Sequence, residues 1–163
     1  MCNSQSCTFS LNSLVLLLPI SYLLQIIHFT STFITIIIDS CRNTMNPTTA
    51  NFAEFFRYEG LKMSNAPVAG SIYEQSQQFR ENFGINWIQC AIAWEMIYPD
   101  LLHQYGKSPK KQHLLWCLLF FKRYSKNQTD ARTAGATYKT FSKWVWIVAA
   151  ALADCESELV STT

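Results

Sequence analysis

Lys139 and Lys143 stand four residues apart, so a helix containing them presents both ammonium groups on one face. Tyr138 and Ser142 fall beside them at the same spacing and add two hydroxyls to the two cations. Ammonium groups meet phosphate oxygens and guanine edges, and hydroxyls donate to and accept from bases. The quartet therefore suits groove contact with DNA better than the making or breaking of bonds. Trp146 lies at the edge of the same face. The plain alternative for the two lysines is the solvation of an exposed helix surface.

The stretch that carries them, Asn127 to Val148 (NQTDARTAGATYKTFSKWVWIV), reads as two helices about a tight turn. Asp130 to Ala134 is a short small-residue helix, Gly135 the turn, and Tyr138 the start of a longer aromatic helix. A helix-turn-helix of this layout lays its second helix in the major groove. It wants a small residue four positions before the turn glycine, where the helices touch, and a positive φ at the glycine itself. It also wants apolar residues just after the glycine and six and nine positions beyond. Ala131, Gly135, Ala136, Phe141 and Trp144 occupy these places, and Thr129 and Thr137 are the expected N-caps. From Lys107 to Lys143 nine basic residues face Asp130 alone, a local net charge of +8 in a chain that carries only +2. Within that run Lys110, Lys111, Arg123, Lys126 and Arg132 are expected to hold the DNA backbone without base preference. Neutralising about five phosphates predicts a log–log salt slope near −4 to −5.

Catalysis has no support in the sequence. There is no Gly-rich phosphate loop, nucleophile elbow or H-E-x-x-H, and no enzyme activity or cofactor is expected. The six cysteines (Cys2, Cys7, Cys41, Cys90, Cys117, Cys155) make no C-x-x-C pair, and His28, His103 and His113 lack ligand spacing, so no metal is expected. Cys90 and Cys117 lie inside apolar helical patterns and read as small buried hydrophobes.

The elements that must position the quartet follow from periodicity. Residues 1–44 are nearly uncharged, and Leu11 to Ile38 is a 28-residue apolar and hydroxyl-bearing run. Three readings of it stand: a single membrane-spanning or signal-like segment, a buried helix, or a non-native extension. Residues 45–70 read as a linker, with turns at Asn46-Pro47 and Ala66-Pro67, breakers at Gly60 and Gly70, and a short helix over Asn51 to Tyr58 capped by Asn51. Residues 71–158 read as a helical domain. Ser71 to Asn82 is anchored by Ile72, Phe79 and Phe83. Asn86 to Leu102 buries Trp87, Cys90, Ala91, Trp94, Ile97, Tyr98 and Leu101, and is kinked or ended by Pro99. After Pro109 comes His113 to Tyr124, with Leu114, Leu115, Leu118, Leu119 and one of Phe120 and Phe121 inward. The predicted fold class is all-α, a small helical bundle ending in a helix-turn-helix.

The order FRENFGINWIQCAIAWEMI, then KKQHLLWCLLFFKRYSKNQTDARTAGATYKTFSKWVWIVAAAL, resembles the region before the catalytic core of PIF/Harbinger-like DDE transposases. Phe79, Phe83-Gly84, His113 to Trp116, Phe121-Lys122, Tyr124, Gly135, Thr140-Phe141 and Lys143 to Trp146 carry the likeness, which spans Gln78 to Ala153. In that family a domain with three widely spaced metal-binding acids follows. Here Asp154, Glu156 and Glu158 crowd into one terminal segment and cannot form that triad. The resemblance therefore implies a non-catalytic, DNA-binding, nuclear remnant of a transposase, or a decayed reading frame. The rival expectation is a small protein anchored in a membrane through Leu11 to Ile38, with a helical module of unstated role.

Overall fold

The structure, a computed structural model, describes residues 47–65, 70–106, 108–123 and 127–161. Every regular element among them is an α-helix: α1 Pro47–Met63, α2 Ile72–Phe83, α3 Trp87–Tyr105, α4 Lys111–Arg123, α5 Asn127–Thr133 and α6 Tyr138–Ser161. The fold class is all-α, as the periodicity predicts. The apolar run Leu11 to Ile38 and its membrane reading lie outside the described residues. None of the described helices is long and apolar enough to cross a membrane.

His113, Leu114, Leu115, Trp116 and Cys117 are all buried. Five consecutive helix positions turn through more than a full circle at about 100° each, so α4 is enclosed on every side. It is the one helix that packs against all five others. The inward stripe expected of it is broader than predicted on one side and thinner on the other. Leu118, Phe120 and Phe121 are only half-buried, whereas His113 and Trp116 join the core, with Cys117 buried as expected.

Residues 47–63 correct the linker expectation. They form a 17-residue helix that packs along α3 and also touches α2 and α4. Pro47 starts it instead of turning the chain away, because the first helical position needs no amide hydrogen and welcomes a fixed φ. Asn51 is therefore interior and not a cap. Phe56 and Leu61 have no exposure, while Phe52 and Phe55 are half-buried. Polar links fix α1 on three sides. Thr49 Oγ1 donates to the Glu95 carboxylate of α3 at 2.8 Å, Arg57 donates to Gln75 Oε1 of α2 at 2.9 Å, and Gln112 of α4 donates to Glu59 at 3.2 Å. The bundle thus includes Pro47–Met63 and does not start at residue 71.

Gly60, expected as a breaker, lies inside α1 because the ring of Phe79 sits on it. A Cβ at this position would stand 2.2 Å from Phe79 Cε2. Phe79 is fully buried, 4.6 Å from the ring of Phe83 and 5.7 Å from that of Trp87, so it has nowhere to swing. Gly60→Ala would gain about 1 kcal/mol of helix propensity but lose roughly 1–3 kcal/mol to overpacking. The second effect wins, and a lowered urea midpoint is expected. A midpoint that rises would show the ring giving way.

Two capping boxes set the next helices. Ser71 and Glu74 exchange hydrogen bonds at the start of α2, and Asn86 and Gln89 do so at the start of α3. Ile72, expected as an anchor of α2, is instead 70% exposed: it shares the side of Phe79 and Phe83 but is the first residue of the helix, two turns before Phe79. The stripe Cys90, Ala91, Trp94, Ile97 and Leu101 is buried as expected, with Trp87 and Tyr98 half-buried. Pro99 does not end α3, which runs on to Tyr105. Pro99 is exposed, so the backbone carbonyl left without its donor lies on the side open to water.

Candidate nucleic-acid interface

Local turn chemistry places the Tyr138–Lys143 quartet. The short helix spans Asn127–Thr133, not Asp130 to Ala134, and closes on Gly135 at φ +65°. The Ala136 N–H donates to the Ala131 carbonyl at 2.9 Å and the Gly135 N–H to the Arg132 carbonyl at 3.1 Å. This pair of bonds around a left-handed residue is a Schellman closure, and Ala131 and Ala136 meet in one apolar cluster as it requires. Nothing lies within 4 Å of a Cβ built on Gly135, so the glycine is needed for its backbone angle alone. Thr137 then caps α6, its Oγ1 accepting the Thr140 N–H at 3.3 Å. Thr129 is not a cap. It lies inside α5, and its carbonyl accepts from Thr133 Oγ1 at 3.2 Å.

Beyond the turn, Phe141, Trp144, Val145 and Val148 of α6 are buried, the first three with Trp116 and Ala131 in one cluster. Tyr138, Lys139 and Lys143 are exposed on the other side, and Ser142 between them is half-buried. Trp146 does not extend this face. Its ring rests 6.0 Å from Phe120 and 6.3 Å from Phe121, so α4 covers the helix at Trp146. The quartet occupies the first turns of α6, the part of a groove-bound helix that reaches base edges.

The five residues expected at the DNA backbone are dispersed. Lys110 and Arg132 are exposed. Lys111 is half-buried with its ammonium 4.3 Å and 4.7 Å from the ring centres of Phe52 and Phe55, and desolvation lowers its pKa. It fastens α4 to α1 instead of facing outward. Arg123 donates to Asn82 Oδ1 at 2.7 Å. Lys126 lies outside the described residues. Lys110 and Arg123 bracket the 13 residues of α4, so they are separated by roughly 20 Å along its axis. A run of charge that is continuous in sequence is thus divided between the two ends of one helix.

His113 decides which end joins the quartet. Its ring stacks on Trp144 at 4.1 Å and 15°, and its Nδ1 accepts the Lys110 N–H at 3.1 Å. Trp144 adjoins Lys143, so this contact brings Lys110 to the same end of the bundle as Lys143. His113 is 5% exposed, and burial, followed by the charge of Lys110, pushes its pKa down to about 4. It is held neutral, with Nδ1 as an acceptor. The sequence reading passed over it as one of three scattered histidines. The signal was there in its placement three residues after Lys110, where a side chain reaches back to the helix start. His103 is exposed, and among the described residues no three of His, Cys, Asp or Glu are grouped to hold a metal ion.

Asp130 is the second residue that sequence reasoning missed. It has no exposure, and neither carboxylate oxygen has a hydrogen-bond partner. The buried Trp116 Nε1–H of α4, the helix on which α5 packs, is likewise without an acceptor. Cys90 and Cys117 are free thiols with no exposure, and burial pushes both pKa values up, so they are inert core residues.

Compared with protein-family models, with curated proteins and with solved structures, the chain finds no match.

Proposed function

We propose that this chain binds duplex DNA without catalysis, through a helix-turn-helix formed by α5, its turn and the first turns of α6. The reading includes a kinship with the DNA-contacting part of PIF/Harbinger-like transposases, and a nuclear place of action. One observation carries it: the Schellman turn at Gly135 buries Phe141 and Trp144 and leaves Tyr138, Lys139 and Lys143 on the opposite, open side. Lys139 and Lys143 meet phosphates or guanine edges, and Tyr138 and Ser142 donate to or accept from bases. Lys110 and Arg132 hold the backbone. With Lys111 turned inward, four cations remain for this contact, and the expected salt slope becomes about −3 to −4.

The test is fluorescence anisotropy of the full chain on a mixed-sequence duplex across a salt series. Lys139→Ala and Lys143→Ala are each expected to weaken binding about tenfold and to flatten the slope by about 1. Lys111→Ala is expected to leave the slope unchanged. An affinity without salt dependence, or one indifferent to Lys139 and Lys143, would sink the reading.

A further inference from the structure

At the far end of α4 from Lys110, the outer face of α2 and the last turn of α4 enclose an open groove of about 410 Å³. That is toward the lower end of small-ligand sites, roughly 300–1,000 Å³. Arg80 and Lys122 supply its charge. Among the described residues neither groove cation makes an ion pair or a side-chain hydrogen bond. Gly84 lies at the junction of the two helices and is needed for its backbone angle. It ends α2 at φ +83°, its N–H donating to the Arg80 carbonyl at 2.8 Å, and Lys122 Cδ lies 3.7 Å from where its Cβ would be. Tyr73 forms the other end of the groove and is 78% exposed, the most open large hydrophobic side chain among the described residues.

Two cations without partners want an anion, and an open aromatic ring wants a flat face. The geometry points to a nucleotide unit as the ligand, its base stacked on Tyr73 and its phosphate held between Arg80 and Lys122. Tyr73 and Arg80 are seven residues apart on α2, about 10.5 Å along the axis, which an extended nucleotide spans. The Ser76 hydroxyl lies between them, where the sugar would pass. Base stacking on an aromatic ring beside a cationic track is also how single strands are held. The unit is therefore supplied either by a free nucleotide or by a single strand. Glu81 is the one acid in the groove, with its Oε1 accepting from Gln77 at 3.4 Å, and it opposes the phosphate. This site is separate from the α6 face and does not depend on it.

Calorimetric titration of the full chain with inorganic phosphate, deoxyadenosine monophosphate and an oligothymidylate tests the assignment. Saturable binding of the mononucleotide or the oligonucleotide is expected, at least about tenfold tighter than phosphate alone. Saturation by the mononucleotide identifies a free nucleotide as the ligand, and saturation by the oligonucleotide alone identifies a strand. Arg80→Ala and Lys122→Ala should each weaken binding about tenfold, and Tyr73→Ala should reduce the nucleotide to the affinity of phosphate. Glu81→Gln should tighten binding about threefold, a sign that loss of fold cannot produce. Lys139→Ala and Lys143→Ala should leave it unchanged. The assignment is overturned if neither nucleotide probe binds, if Arg80 and Lys122 are dispensable, or if Lys139→Ala and Lys143→Ala abolish binding.

Discussion

Acidification from pH 6.5 to about 4 is expected to remove about 3 kcal/mol of folding stability through His113 alone. The unfolded chain takes up a proton on this imidazole below 6.5, while the folded chain resists until about 4. Between those values the unfolded state holds more protons, so stability is complete above 6.5 and declines as pH falls. At 1.36 kcal/mol per pH unit, the figure of about 3 is an upper value, because acid also loosens the surrounding packing. The proton would have to enter a ring stacked on Trp144 that already accepts from the Lys110 N–H. Urea unfolding between pH 7 and 4.5 measures the effect. His113→Gln keeps an acceptor for Lys110 without a titrating ring, and it should flatten the pH dependence. Equal slopes for the two proteins would remove His113 as the cause. Glu54, whose pKa is lowered by its bond to Arg57, acts in a different window below the usual carboxylate range and on an exposed surface.

Because His113 also joins α4 to α6 beside Lys143, the same titration bears on the proposed DNA contact. An imidazolium pushed away from Trp144 would free the first turns of α6 from the buried cluster.

Asp130→Asn is expected to raise the thermal midpoint by roughly 8 °C, the equivalent of about 2 kcal/mol for a domain of this size. A carboxylate taken out of water without a partner costs several kcal/mol, and an unpartnered amide of the same shape costs roughly 1–3. Against that gain stands the attraction of Asp130 for the positive end of α5, at most about 1 kcal/mol. The desolvation difference is larger, so the substitution stabilises. Differential scanning calorimetry of the full chain reads the shift. A lowered midpoint would mean that the carboxylate accepts a bond that holds α5 in place.

Helix existence was legible wherever the buried face repeats within one element. Cys90, Ala91, Trp94, Ile97 and Leu101 show it, and the burial of that stripe follows. Helix α1 was hidden because Pro47 and Gly60 carry a double meaning. Proline breaks a helix or begins one, and glycine ends a helix or makes room for a neighbour. Only the position of the Phe79 ring distinguishes the second meaning at Gly60. Pro99 misled in the same way, since its consequence depends on whether its side of α3 meets water or packing.

The sequence by itself determined the all-helical class, the turn at Gly135 and the sharing of one helix face by Lys139 and Lys143. Each of these is set within a few residues, by helical periodicity or by the backbone freedom of a glycine. The tertiary structure alone decided that Lys111 turns inward over Phe52 and Phe55, and that Asp130 and His113 are buried. Those outcomes depend on which distant side chains arrive beside a residue, and charge and burial act through space without regard to order along the chain.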